Sequence, residues 1–377
     1  MLSEIKKDKT KETRRNLLIA LASIGIISPF IHKKKSTSNL DQVVLRYSTH
    51  VPSSHGLYTK AFLPFAQLVE KETQGKLLLK PYTDKLLHGP NNGFKAAVSG
   101  ITDYTHSYIT YSPGSFKLLH LSQLPFLFNK PQVASLVVEE LYPKYLKEEF
   151  EKMGVYLAHC DATSPYNIIS RRPIASLDDL QGLKIRVTSG ITADIYRQLG
   201  ATPVAIAAAE IYPAFQQGVI DSVSLAPNDI ASYRLYEIGK HYLKVNLNLV
   251  VLHYCLNKNA FNSLPNNLKK TFYNLLRVRS QYASQNVYSG QNYDNALIAI
   301  KNAGVNITNL SDKELNRWKK KLAPLKENIL KKYESDGLPA RALVQNMESL
   351  SNKYNSWTNE KINSLILNSP IQGIIDL

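Results

Sequence analysis

The sequence predicts an α/β fold, with strands paired mainly in parallel and helices on both faces. Three observations carry that expectation. Short apolar or alternating runs that read as strands are followed repeatedly by longer segments with apolar residues three and four apart. Glycines stand where many of those segments stop, among them Gly75, Gly100, Gly200, Gly218 and Gly304. A chain of 377 residues, 44% hydrophobic and 20% charged, has an ordinary globular composition and can bury two lobes or one large domain.

Taken in order, residues 43–47 form a first strand and 54–73 a helix closed by Gly75. Pro64 should kink or restart that helix, because its ring removes a backbone donor. Strands at 77–82 and 101–108 bracket a short helix at 91–98. An amphipathic helical region covers 132–153, and a strand at 155–160 is broken by residues 161–165, where the chain should cross between lobes. Within 174–186 (IASLDDLQGLKIR), Ser176 is expected to N-cap a short turn, with Asp178 and Asp179 at the positive end of its dipole. Gly182 closes the turn in a left-handed conformation. Leu183, Ile185 and Val187 then alternate with Lys184 and Arg186, the period of a half-buried strand. Helices at 192–199 and 207–217 flank a strand near Val204. Residues 249–256 read as the strand crossing back, and 265–303 as the longest helical pattern. Ser311-Asp312-Lys313-Glu314 is a capping box opening a helix to Tyr333, with Lys319, Lys320 and Lys321 on its solvated face.

The formal net charge is +16. Such a balance suits an anionic small ligand or an acidic partner; no motif or interleaving of aromatic and basic residues supports nucleic acid. Nine Lys and Arg fall in the first 35 residues, against Glu4, Asp8 and Glu12. That segment reads as an export signal: adjacent Arg14 and Arg15 lead into an apolar stretch, ending at Ile31, that is short for a membrane span. The paired arginines resemble a twin-arginine signal. No Ala-x-Ala site or lipobox cysteine follows, so an uncleaved anchor is the alternative. Cys160 and Cys255 lie in strand-like runs and are expected as free thiols.

Constellations that would carry catalysis are missing. Residues 89–93 lack the spacing and the Lys of a phosphate loop, and no Gly-x-Ser-x-Gly, His-Glu-x-x-His or Cys-x-x-Cys occurs. His106 has no second ligand at metal spacing and reads as a hydrogen-bonded strand residue. No enzyme activity, metal or cofactor is expected.

Arg172-Pro173-Ile174, followed by Leu177-Asp178-Asp179-Leu180-Gln181-Gly182-Leu183-Lys184-Ile185-Arg186-Val187, resembles the core signature of the TRAP-transporter solute-binding proteins, the DctP family. The resemblance runs from about Val43 to about Tyr333. It implies a two-lobed, periplasmic-binding-protein-like fold, its lobes joined by crossing strands and a long helix. It also implies that Arg186 clamps the carboxylate of an organic acid and that TRAP membrane subunits receive it. Gly100 to Asp103 and the Leu124-Pro125-Phe126 segment keep further family spacings. Glu210, Tyr212, Gln217, Gly218 and Asp221 match a Glu-x-Tyr … Gln-x-Gly-x-x-Asp pattern. Ser222 replaces the Gly usual after that Asp, and Ser224, Leu225 and Asn228 take the positions that touch ligand.

Tyr166 stands where many members carry a second Arg. Tyr108 and Tyr111 stand where a sialic-acid-binding relative would carry a Glu and an Arg, and with Tyr104 they imply a tyrosine-rich wall. A monocarboxylate with an apolar or aromatic body is therefore favoured over a sugar acid. The expected division is an export signal at 1–35, a first lobe of 36–163 with 251–290, a second of 164–250 with 291–357, and a tail at 358–377. A periplasmic monomer is expected. The alternatives are a binding protein of another transport system and an exported enzyme acting on small carboxylates.

Overall fold

The computed structural model describes residues 42–377, so the export-signal reading falls outside the described residues. Two sheets organise the chain, with strands numbered in chain order across both. The first holds β1 (Val43–Ser48), β2 (Leu77–Tyr82), β3 (Tyr104–Tyr108), β4 (Val155–Ala162) and β10 (Val251–Asn257), in the order β2-β1-β3-β10-β4. The second holds β5 (Asn167–Ser170), β6 (Lys184–Val187), β7 (Thr202–Ala205), β8 (Ser222–Leu225), β9 (His241–Lys244) and β11 (Asn306–Asn309), in the order β11-β9-β5-β8-β6-β7. Each sheet has one strand antiparallel to both neighbours: β10 in the first and β5 in the second. These are the strands the chain enters after crossing. Pro81 is tolerated because β2 is an edge strand.

The crossings are tied to each other. Tyr166 N–H donates to Asn248 O at 2.6 Å and Leu247 N–H to Tyr166 O at 3.0 Å, while Thr163 N–H donates to Val250 O at 3.0 Å. The Asn167 side-chain oxygen accepts from the amides of Val245 and Asn246, both at 2.8 Å. Two short backbone segments paired in this way form a hinge between the sheets.

Several local expectations are revised. The helix after β1 begins as a π-helix, Leu57–Phe62, and restarts as an α-helix, Leu63–Glu72, so that Pro64, expected to kink or restart it, stands at the change of helix type. β4 runs on through Asp161 and Ala162, because the Asp161 carboxylate is held inside the fold by Arg279 at 2.9 Å. Ser176 is not an N-cap: the Asp179 carboxylate instead accepts from the amides of Ala175 and Ser176 and from the Ser176 hydroxyl. The capping box is half formed, since Ser311 Oγ accepts from Glu314 N–H at 3.2 Å but the Glu314 side chain turns to the Leu177 amide and Arg317. The longest helical pattern divides into Asn266–Asn286 and Gly290–Asn302, with Gly290 at φ +57° between them.

Asn266–Asn286 packs on β4 and on the helix Pro131–Tyr145, and Gly290–Asn302 packs on Pro227–Ser232 beyond β8. The helix Asp312–Ser335 lies on Ile191–Leu199 of the second sheet's layer. Ala340–Asn355 and Asn359–Asn368 return to Pro131–Tyr145 and Asn266–Asn286, respectively. Cys160 and Cys255 are buried free thiols, and burial pushes both well up from the ordinary thiol range.

His253, on β10, is fully buried beside Phe116 and Phe150 with neither ring nitrogen hydrogen-bonded. Desolvation lowers it to about 3. A histidine depressed on folding supports the fold at neutral pH; that support is lost as pH falls from ~6.5 towards 3, by about 1.4 kcal/mol per pH unit. His253→Phe should therefore shrink the drop in melting temperature between pH 7 and pH 5 by a few degrees. An unchanged drop in thermal melts at the two pH values would contradict this.

Candidate functional site

The C-terminal ends of β3 and β6 meet across the hinge, where α/β sheets place their ligands. The Ser189 hydroxyl, just beyond β6, donates to the carbonyl of Thr110, just beyond β3. The Ala208 amide donates to the Tyr111 hydroxyl at 3.2 Å. These contacts close a cleft with a cavity of about 830 Å³, lined in part by Thr110, Tyr111, Thr188, Ser189, Ile206 and Glu210.

Arg186 lies behind this lining, two residues before Thr188, on a strand paired with β7 and β8. It is 1% exposed, and its Nε donates to the Ile206 carbonyl at 2.9 Å. Nη1 is buried with no hydrogen-bond partner, and no carboxylate pairs with this guanidinium among the described residues. Two other fully buried arginines differ in this respect. Arg277 is paired with Glu139 and Arg279 with Asp161, each at 2.9 Å.

Tyrosines and histidines surround the cleft. Tyr108 and Tyr111 are in ring contact at 5.5 Å, and His50 lies edge-on to both, at 5.3 and 5.7 Å. Burial raises the phenol of Tyr166; Asp229 adds to this and Arg186 opposes it, so both charges lie near that ring. Tyr233 is raised by burial and Asp229 and eased by Arg186 in the same way. His50 is lowered to about 3, chiefly by desolvation. Its Nδ1, His106 Nε2, Thr110 Oγ1 and Thr188 Oγ1 are further buried polar atoms without partners.

Of the residues singled out by sequence, Tyr111 lines the cavity and Glu210 stands exposed at its edge; Tyr108 packs on Tyr111, Arg186 donates to the lining residue Ile206, and Tyr166 is tied to the crossing backbone. Leu225 ends β8 opposite Asn167, one residue from Tyr166. Asn228 is spent on the hinge region, accepting from Ser164 Oγ at 2.8 Å and donating to Val287 O at 2.8 Å. Ser224 accepts from Tyr196 OH at 2.9 Å inside the second layer. Asp221 holds the start of β6 through the Lys184 amide. Tyr104 lies in the first core, bonded to His159 Nε2 at 2.6 Å and tilted against Tyr47. His106 is hydrogen-bonded through Nδ1 to Thr49 Oγ1 at 2.9 Å. Asp229, His50 and Tyr233 were missed. Only the position of His50, just past the first parallel strand, was a usable signal in the sequence.

Two lobes hinged about a closed cleft are the architecture of a solute-binding protein. The family model for bacterial extracellular solute-binding protein, family 7 (DctP) matches residues 47–333, and the chain belongs to that family. It is accordingly an extracytoplasmic transport receptor and not an enzyme. The C4-dicarboxylate-binding periplasmic protein DctP of Rhodobacter capsulatus is 24% identical over 80% of this chain and 90% of its own. A TRAP periplasmic solute-binding protein from Desulfovibrio salexigens, solved as an open complex, is 28% identical with a TM-score of 0.74 and covers 84% of this chain and 98% of its own. A marine metagenome TRAP solute-binding protein specific for aromatic acids, solved with metahydroxyphenylacetate, is 24% identical with a TM-score of 0.78, covering 84% and 100%. No helix among the described residues is long and apolar enough to cross a membrane.

Opening the hinge would break the Ser189 and Tyr111 contacts and separate the sheets. Small-angle scattering should give a smaller radius of gyration with a bound organic acid than without one; identical profiles at saturation would contradict closure on ligand.

Proposed function

We propose that the protein captures a monocarboxylate with an apolar or aromatic body through Arg186 and delivers it to TRAP membrane subunits. The buried, unpaired guanidinium carries this reading. An isolated charge out of water costs several kcal/mol unless a counter-charge meets it, and a guanidinium fork fits a carboxylate with two parallel hydrogen bonds. The other buried arginines have internal carboxylates; this one is left for a ligand.

Tyr108, Tyr111 and Tyr166 support the apolar or aromatic body, since ring faces stack on rings and leave few donors for a sugar's hydroxyls. Fold neighbours bound to (R)- and (S)-mandelate and to copurified benzoate lend direction, at 24% and 20% identity. A neighbour with bound β-D-glucuronate, at 19% identity, represents the sugar-acid alternative. Glu210 borders the cleft mouth as a secondary contact in this reading. Export by a twin-arginine-like signal, a monomeric state and the lobe division at residues 163–164 and 250–251 belong to the same proposal.

Arg186→Ala should weaken binding of the co-purified acid by about 2–5 kcal/mol, on the order of 30- to several-thousand-fold. Arg186→Lys should recover only part, because a point charge does not reproduce the fork. Arg172→Ala, whose side chain reaches only the Asp179 carbonyl, should leave affinity within a few-fold. Calorimetric titration of the three variants checks this; parent-like binding by Arg186→Ala places the clamp elsewhere.

A further inference from the structure

A second unbalanced charge borders the same tyrosines. Asp229 sits in the helix Pro227–Ser232, which begins one residue past the end of β8. β8 lies beside β6, with Val223 opposite Arg186, and beside β5, with Leu225 opposite Asn167. The topology thus brings Arg186, Tyr166 and Asp229 towards one end of the sheet. Asp229 is 6% exposed. Its Oδ1 has two long contacts, His55 Nε2 at 3.4 Å and Tyr288 OH at 3.5 Å.

His55 meets this carboxylate through a ring nitrogen. The Leu57 amide donates to His55 Nδ1 at 3.1 Å, which makes Nδ1 an acceptor and places the ring proton on Nε2, facing Asp229. On its outer side Asp229 lines a crevice with His55, Lys60 and Asn292 that shares no residue with the cavity at Tyr111 and Thr188, and the Lys60 ammonium there is turned to Asn292 Oδ1. No lysine or arginine pairs with Asp229 among the described residues. The other groups around it are the phenols of Tyr108, Tyr166, Tyr233 and Tyr288, each of which its charge makes harder to ionise.

We propose that Asp229 is a specificity-determining residue that excludes ligands bearing a second carboxylate and favours a hydrogen-bond donor, such as a hydroxyl, at the end of the ligand remote from Arg186. The inference rests on the Arg186 reading and extends it. One cation and one anion flank the tyrosines, so a monoanion with a donor satisfies both, whereas a dianion would force two carboxylates together in a site that excludes water. Discrimination through a like charge is set by what the wrong ligand must endure.

The test uses matched probes in which one hydroxyl becomes one carboxylate: 3-hydroxybenzoate against isophthalate, and mandelate against phenylmalonate, titrated calorimetrically at pH 7.5. The parent should prefer the hydroxy acid by at least tenfold in a pair that fits. Asp229→Asn, with a parent-like melt, should cut that preference at least tenfold, and Asp229→Glu should keep it. Asp229→Ser gives the same readout if the amide is poorly accommodated. A preference unchanged in Asp229→Asn, equal affinity of the parent for both members of a pair, or loss of all binding by folded Asp229→Asn overturns the role of Asp229 and leaves Arg186 untouched. Failure of the parent to bind any of the four acids overturns the carboxylate reading, and this proposal with it.

Discussion

The interaction on which this structure turns is the one Arg186 does not make within the chain. A guanidinium that is 1% exposed and lacks a carboxylate partner is held in place by the fold around it. β6 supplies a stiff support, the Ile206 carbonyl fixes Nε, and neighbouring strands prevent the side chain from swinging to solvent. The cost of that arrangement falls on the closed state. On the proposed reading of Arg186, closure depends on an anion, because a counter-charge in the cleft offsets the desolvation.

The remaining buried charges keep this dependence local. Arg277 and Arg279 come from the long helix Asn266–Asn286 and lock it to Glu139 and Asp161 of the first lobe. Breaking either pair by removing one partner would cost about 3–5 kcal/mol, so the helix and β4 move as one body. Motion is left to the two crossing segments, whose hydrogen bonds run mostly between backbone atoms and tolerate small dihedral changes. In the proposed site, Tyr108, Tyr111 and Tyr166 would exclude water and so strengthen a charge pair formed with Arg186.

Much of this was legible in the sequence, and the limits have physical causes. β1, β2, β3, β4, β6 and β10 announce themselves by apolar alternation or runs. β5, β8, β9 and β11 are four residues each, too short for periodicity to show, and all but β9 carry Asn or Ser, which local propensity assigns to turns; β6 is as short, but its alternation starts earlier, at Leu183. Arg186 was found through the residues around it. Tyr104 belongs to the core and not to the wall because of its position along β3: Tyr104 and Tyr108, four apart, share one face of the strand, but only the latter reaches its cleft end. Asp229 is not legible in the sequence, since its surroundings arise from a long-range meeting with His55 and Tyr288, 174 and 59 positions away in the chain.

The central claim is that the protein carries its own unpaired cation and acquires the matching anion from solution. The most direct measurement is native mass spectrometry of the exported protein, followed by denaturation and identification of the released small molecule. The account predicts one molecule per chain bearing a single ionised carboxylate. A neutral or cationic molecule in that stoichiometry would contradict it.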